Sequence, residues 1–193
     1  EVSCLDVLMF HSFESFINNP KAIDVLVDLK LKGYIKHIGV SVYTNGQMEY
    51  LLNEDEISVV QLPFNLLDNI TIRGDLIKQL KAKGKIIHTR SAFLQGLFFK
   101  NLDDQNKIVQ KLHSELEILK QIMLQSNCLM EELALSYCIQ QQNIDNVIIG
   151  VDSMNHLEAN LNASSHTIDE ESIKLINTIK VEDLDLLNPS LWK

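Results

Sequence analysis

Five apolar runs in this chain lead into residues able to do chemistry. LDVLMF (5–10) is followed by His11 and HIGV (37–40) by Ser41. SVVQL (58–62) carries Gln61, KIIHT (85–89) runs into Arg90 and Ser91, and VIIG (147–150) is followed by Asp152 and Ser153. A histidine can orient a carbonyl or assist its protonation, because it donates a hydrogen bond near neutral pH. A buried glutamine amide must find partners. Arginine suits a phosphate, a carboxylate or the face of a flat ring. A helix that starts after Asp152 and Ser153 offers its first amides to a phosphate. Each residue also has a plainer reading. His11 and Gln61 can serve strand ends through structural hydrogen bonds, and 91–96 can be an ordinary loop.

Those residues need a scaffold that brings strand ends together. The chain has 193 residues and is 46% hydrophobic, enough for one domain with a real core. Strands are expected at Leu5–Phe10, Ile35–Val40, Ser58–Leu62, Lys85–Thr89 and Val147–Ile149. A polar turn follows the first strand. Helices are expected from Pro20, with Ile23, Leu26, Val27 and Leu31 on one face, then at Gly46–Leu52 and Ile72–Lys83. Further helices are expected at Lys107–Leu124, at Leu129–Gln141 with Asn127 as cap, at Asn155–Leu161 and at Glu170–Ile179. Proline opening a helix and Gly33 or Gly84 closing one mark the boundaries. Residues 90–105 read as a long loop, and Leu186–Trp192 as a tail laid on the body.

Strand–helix alternation predicts a parallel sheet with crossover helices. The strands are apolar almost throughout, as strands covered on both faces are. A doubly wound sheet and a closed barrel both satisfy this pattern. In either fold the carboxyl ends of the strands form the ligand face.

Composition excludes several classes. A net charge of −9 without a Lys/Arg cluster argues against nucleic-acid binding. No stretch reaches the ~18 apolar residues of a membrane span. Cys4, Cys128 and Cys138 show no C-x-x-C spacing, which reads as free thiols in a reducing, cytoplasmic compartment. His37, His88, His113 and His166 show no ligand spacing with cysteines or carboxylates, so no metal site is expected. Glu115, Glu117, Glu131 and Glu132 read as solvated helix faces.

The runs, taken in order, resemble the aldo-keto reductase family. LDVLMFHSF is similar to the strand that ends on that family's active-site histidine. HIGVSVYTNGQMEYLL resembles its next strand and helix, and ISVVQLPFNLLDN the strand bearing the amide that holds the nicotinamide. KGKIIHTRSAFLQGLFF resembles the seventh strand and its cofactor loop. LALSYCIQQQNIDNVIIGVDSMNHLEANL resembles the last helix–strand–helix, at the adenosine end. These stretches cover most of 5–161.

The resemblance implies a partial (β/α)8 TIM barrel of α/β class, about five parallel strands with crossover helices, acting on a small-molecule carbonyl with NADPH (NADH possible). His11 would sit beside the carbonyl oxygen. Ser41 and Gln61 would hold the carboxamide, although Val42 stands where many relatives have asparagine. Arg90 occupies the place of a ring that stacks on the nicotinamide. Ser91, Phe93, Gln95 and Gly96 would follow the pyrophosphate. Gly150, Asp152, Ser153, His156 and Asn160 match the adenosine region, with Asn160 on the adenine edge. Relatives strict for NADPH often carry Lys and Arg where this chain has Gly150 and His156.

The strands here would be the fourth to the eighth. A barrel needs about 250 residues, so about three β/α units would be absent, and with them the family's catalytic tyrosine, lysine and aspartate. Glu1 is not a methionine, which fits the same expectation. Tyr34, Tyr43, Tyr50 and Tyr137 do not match the tyrosine's place, so the chain alone is expected to be weak or inactive. Open edges of a part-barrel invite self-association. A non-catalytic nucleotide-binding or interaction protein on the same scaffold is the alternative. A flavodoxin-like signalling domain ranks last, because Asp152 is isolated and Asp6 begins its strand.

Overall fold

The computed structural model describes residues 3–192. Glu1, on which the reading of the chain start relied, lies outside them. The elements run β1 (Leu5–Phe10), α1 (Phe13–Ile17), α2 (Pro20–Leu31), β2 (Ile35–Ser41), α3 (Asn45–Leu51), β3 (Val59–Pro63), α4 (Ile70–Ala82) and β4 (Ile86–Arg90). A 3₁₀ turn at Leu94–Phe99 follows, then α5 (Lys107–Lys111), α6 (His113–Gln125), α7 (Met130–Ile139), β5 (Asn146–Val147), α8 (Met154–Ala163) and α9 (Glu170–Thr178). Two further 3₁₀ turns, Leu184–Leu187 and Pro189–Leu191, form the tail.

All strand pairs are parallel, and the order is β1-β2-β3-β4-β5. That order separates the two folds that periodicity left open. A doubly wound sheet reverses its strand order at a switch point, whereas a barrel adds each strand beside the last. This sheet never reverses, so it is an arc of barrel. It is not closed: β1 and β5 are its edges among the described residues.

Alternation sorts the side chains. Ile38, Val40, Val60, Leu62 and Ile87 are fully buried and join the main core with the helices. The other face carries Val7, Met9, His37, Gly39, Ser41, Val59, Gln61, His88 and Arg90, with Met9, Gly39 and Val59 in one register row. Gly39 lets these strands approach closely, since a Cβ there would lie 3.1 Å from the Cβ atoms of both Met9 and Val59.

Several boundaries differ from expectation, each for a local reason. The polar turn after β1 contains a short helix, because Ser12 accepts the Ser15 N–H as its cap. The helix expected over 107–124 breaks at Leu112, where φ is −103° and ψ 19°. Asn127 is no cap for α7. It takes a left-handed φ of 47° after α6, and the Glu132 carboxylate reaches back to the Leu129 N–H at 2.7 Å instead. Leu31 is exposed, while Ile23, Leu26, Val27 and Leu29 pack on the core. The last strand pairs only over Asn146–Val147, one residue earlier than expected. Asp145 anchors it: its carboxylate accepts the Ile87 N–H at 2.7 Å and the Lys81 ammonium at 2.8 Å. Burial opposes ionisation of Asp145, yet those two donors outweigh it and hold the carboxyl below its usual range.

Candidate functional site

The strand ends carry the first group of residues. Ser41 and Gln61 are register partners on β2 and β3, so their side chains stand side by side on the face turned away from the helices. Gln61 sits inside β3, which runs two residues further, to Pro63. His88 is the next partner along the row, and Asn146 the next after it. Burial pushes the His88 imidazole below its ordinary pKa, with the Asp145 carboxylate opposing and His37 adding to the shift. His88 therefore stays a neutral donor–acceptor beside Gln61 at neutral pH. The sequence reading set His88 aside because spacing in one dimension hides strand neighbours 27 residues apart. His11 follows β1 directly and is exposed.

Ser41 is 7% exposed, and its hydroxyl has no hydrogen-bond partner among the described residues. Gln61, half-buried, also makes no side-chain hydrogen bond among them. Both groups keep access to solvent, since no described side-chain polar atom is at once enclosed and unpaired, so the pair is free to hydrogen-bond a ligand. A carboxamide, with one acceptor and two donors, matches that pair.

Arg90 is held differently. Its guanidinium lies 4.2 Å from the centre of the Tyr43 ring and donates 3.3 Å hydrogen bonds to the Val42 carbonyl and Ser91 Oγ. Tyr43 in turn is fixed from behind. Arg73 donates to the Tyr43 carbonyl at 2.8 Å, to Asn45 Oδ1 at 2.7 Å and to both oxygens of Asp68 at 2.6 and 2.9 Å. Asp68 and Arg73 are both buried. Burial raises the Asp68 carboxyl, and the Arg73 guanidinium pulls it back only in part. No signal in the sequence marked this pair, because an Asp and an Arg five residues apart are common on any surface.

The second group lines a cavity of about 670 Å³ between the 91–99 loop and the α7–β5–α8 segment. Ser91, Phe93, Gln95 and Gly96, expected along the pyrophosphate, and Gly150, Asp152, His156 and Asn160, expected around the adenosine, line it together. His11, Ser41, Gln61 and Arg90 lie outside it, on the strand ends. Ser153 is not in the wall either: it caps α8, its Oγ accepting the His156 N–H at 3.2 Å. Glu131 does line the cavity, although the sequence reading placed it on a solvated helix face. Its helix, α7, is buried nearly all round, so even its polar positions look onto protein-made space.

The loop wall is strained. Ser91, Leu94 and Gln95 adopt left-handed φ of 64°, 45° and 52°, next to Gly96 at 79°. Non-glycine residues there cost on the order of 1 kcal/mol each, and such strain gathers at sites that must shape a backbone. At the opposite wall Asn160 is 7% exposed, and its amide has no hydrogen-bond partner among the described residues. No side-chain nitrogen or oxygen among them is both wholly enclosed and unpaired. The Asn160 amide thus keeps its residual access through the cavity, where a ligand edge can meet it.

No group of His, Cys, Asp and Glu able to hold a metal ion occurs among the described residues. No described helix is long and apolar enough to cross a membrane.

Comparison with known proteins agrees with this architecture. The aldo-keto reductase AKR11C1 from Bacillus halodurans, in its apo form, superposes with a TM-score of 0.77 at 19% identity, over 95% of this chain and 66% of that one. Its holo form gives 0.75 at 19% identity, over 95% of this chain and 62% of the other. The glycerol dehydrogenase AKR11B4 from Gluconobacter oxydans gives 0.72 at 16% identity, over 92% and 59%. The chain thus spans about two thirds or less of the length of these proteins. No match was found among curated protein sequences. At such identities the superpositions speak for the fold alone. The sequence profile of the Aldo/keto reductase family matches residues 1–181, and with the strand-end row and the cavity in place the chain belongs to that family.

Proposed function

We propose that these residues form most of the nicotinamide-dinucleotide site of a carbonyl reductase, with NADPH or NADH as the cofactor. One observation carries the reading: the Ser41 and Gln61 side chains, paired across β2 and β3, and the Asn160 amide on the cavity wall make no hydrogen bond among the described residues and keep access to a ligand. In this assignment Ser41 and Gln61 hold the carboxamide and Asn160 reads the adenine edge. The 91–96 loop tracks the pyrophosphate between them, and Gly150, Asp152 and His156 surround the adenosine, with Ser153 capping the helix that carries His156. Arg90 lies beside the ring, its guanidinium already oriented by Tyr43. When bound, the dinucleotide supplies a hydride to the carbonyl carbon while a proton goes to the oxygen, giving an alcohol and the oxidised dinucleotide. His11 is assigned to the carbonyl oxygen, as a hydrogen-bond donor.

None of the four tyrosines is assigned as proton donor. Tyr43 lies under Arg90, Tyr137 is buried, and Tyr34 and Tyr50 are exposed. Reduction by this chain alone is therefore expected to be slow. The test is calorimetric titration of the chain with reduced dinucleotide. Asn160→Ala is expected to weaken binding about tenfold, as loss of a buried hydrogen bond does. Undiminished binding by the variant would remove Asn160 from the site.

The open edges motivate a second element of the reading. Leu5 lies on the edge strand β1, Tyr34 precedes β2, and Val25 and Leu31 lie on α2; all four are exposed. A second copy of the chain is proposed to cover this face. Sedimentation is expected to show a concentration-dependent dimer, and a monomer at all concentrations would refute it. The three free cysteines are in keeping with a reducing, cytoplasmic setting.

A further inference from the structure

The charge of the adenosine-side cavity discriminates between the two forms of the cofactor. Its wall carries the Glu131 carboxylate from α7, the Asp152 carboxylate from the β5–α8 loop and the His156 imidazole from α8. No lysine or arginine lines it. Nearby cations are committed elsewhere. Lys100 pairs with Asp104 at 3.0 Å, and Arg90 is stacked on Tyr43. The α8 N-terminus supplies roughly half a positive charge, spread over a turn in which Ser153 Oγ already takes the His156 N–H.

We infer that this cavity accepts NADH and rejects NADPH. The inference rests on the dinucleotide reading above and deepens it. A phosphate monoester adds about −1.5 to −2 charges at neutral pH. In the cavity that charge meets two carboxylates and no cation; Asp152 is exposed and Glu131 half-buried, so the repulsion is one that salt screens. A free ribose diol suits the same wall, since hydroxyl hydrogens donate to carboxylate oxygens. In doubly wound dinucleotide folds, which differ from this one, an acidic side chain meets the free ribose hydroxyls by the same chemistry.

The test titrates the chain with NADH and with NADPH at matched ionic strength, then repeats both with Glu131→Gln/Asp152→Asn. NADH is expected to bind at least tenfold tighter than NADPH. The ratio is expected to fall toward one in the double variant, and to shrink in the unmodified chain as salt is raised. Equal or tighter binding of NADPH by the unmodified chain would overturn the inference while leaving the dinucleotide site standing. A ratio unchanged in a folded double variant would overturn the assignment of discrimination to these carboxylates. Binding of neither dinucleotide would overturn the site itself, and the inference with it.

Discussion

Arg73→Met is expected to destabilise the chain by about 3–5 kcal/mol, the cost of leaving one partner of a buried ion pair without the other. The guanidinium makes four hydrogen bonds, to both Asp68 oxygens, Asn45 Oδ1 and the Tyr43 carbonyl. Methionine fills the space and satisfies none of them. The penalty should depend on pH with a sign set by Asp68. Burial already raises that carboxyl above its ordinary value, and removing the guanidinium raises it further. A group whose folded pKa is raised takes up a proton on folding between its unfolded and folded values. Stability therefore falls as pH rises through that window, and the defect is larger at pH 7 than at pH 4.5. Urea melts at the two pH values read this directly. Asp68→Asn/Arg73→Met should recover part of the loss, because the buried charge is gone. An equal loss in the double variant, or no pH dependence, would show that Arg73 acts through packing alone. The damage should extend to Arg90, because Arg73 holds the loop on which Tyr43 carries it.

Asn69→Ala is expected to cost about 2–4 kcal/mol, from a lost helix cap together with buried carbonyls left without donors. The Asn69 carboxamide works at both ends. Its oxygen caps α4 by accepting the Thr71 N–H at 3.0 Å. Its nitrogen donates to the carbonyls of Ile176 at 3.2 Å and Ile179 at 3.1 Å, which close α9. Asn69 thus fastens the last helix to the middle of the chain. Asn69→Asp separates the two roles: it keeps the cap acceptor and loses both α9 bonds. Thermal melts should place both variants below the native chain, with Asn69→Asp no better than Asn69→Ala at neutral pH, because its buried carboxylate faces the two α9 carbonyls. If Asn69→Asp melts with the native chain, α9 is held by its apolar face alone.

The strands were legible because a parallel strand covered on both faces must be apolar along its length, and few other elements are. The helix starts at Pro20 and Ser153 were legible because capping is local chemistry. Boundaries shifted where a local rule met a packing demand. The helix over 107–124 has unbroken periodicity, yet it turns at Leu112, which is buried. Ser41 and Gln61 stand out in the sequence as polar positions on apolar strands, and His88 joins their row in the structure. His88 acquires meaning only from its strand register.

By itself the sequence determined where the strands lie along the chain, the net negative charge and the residue types waiting at the strand ends. These follow from side-chain apolarity, charge and capping, which act over a few residues and are written in one dimension. Tertiary structure alone decided the rest. It settled the barrel arc that the family resemblance implied and periodicity left open, since strand order is a matter of long-range pairing. It brought Glu131 into the cavity wall, joined Asp68 and Arg73 to Tyr43, and left the Ser41, Gln61 and Asn160 side chains without hydrogen bonds among the described residues. Burial and partnership are properties of what lies across space from a residue, and no pattern along the chain specifies them.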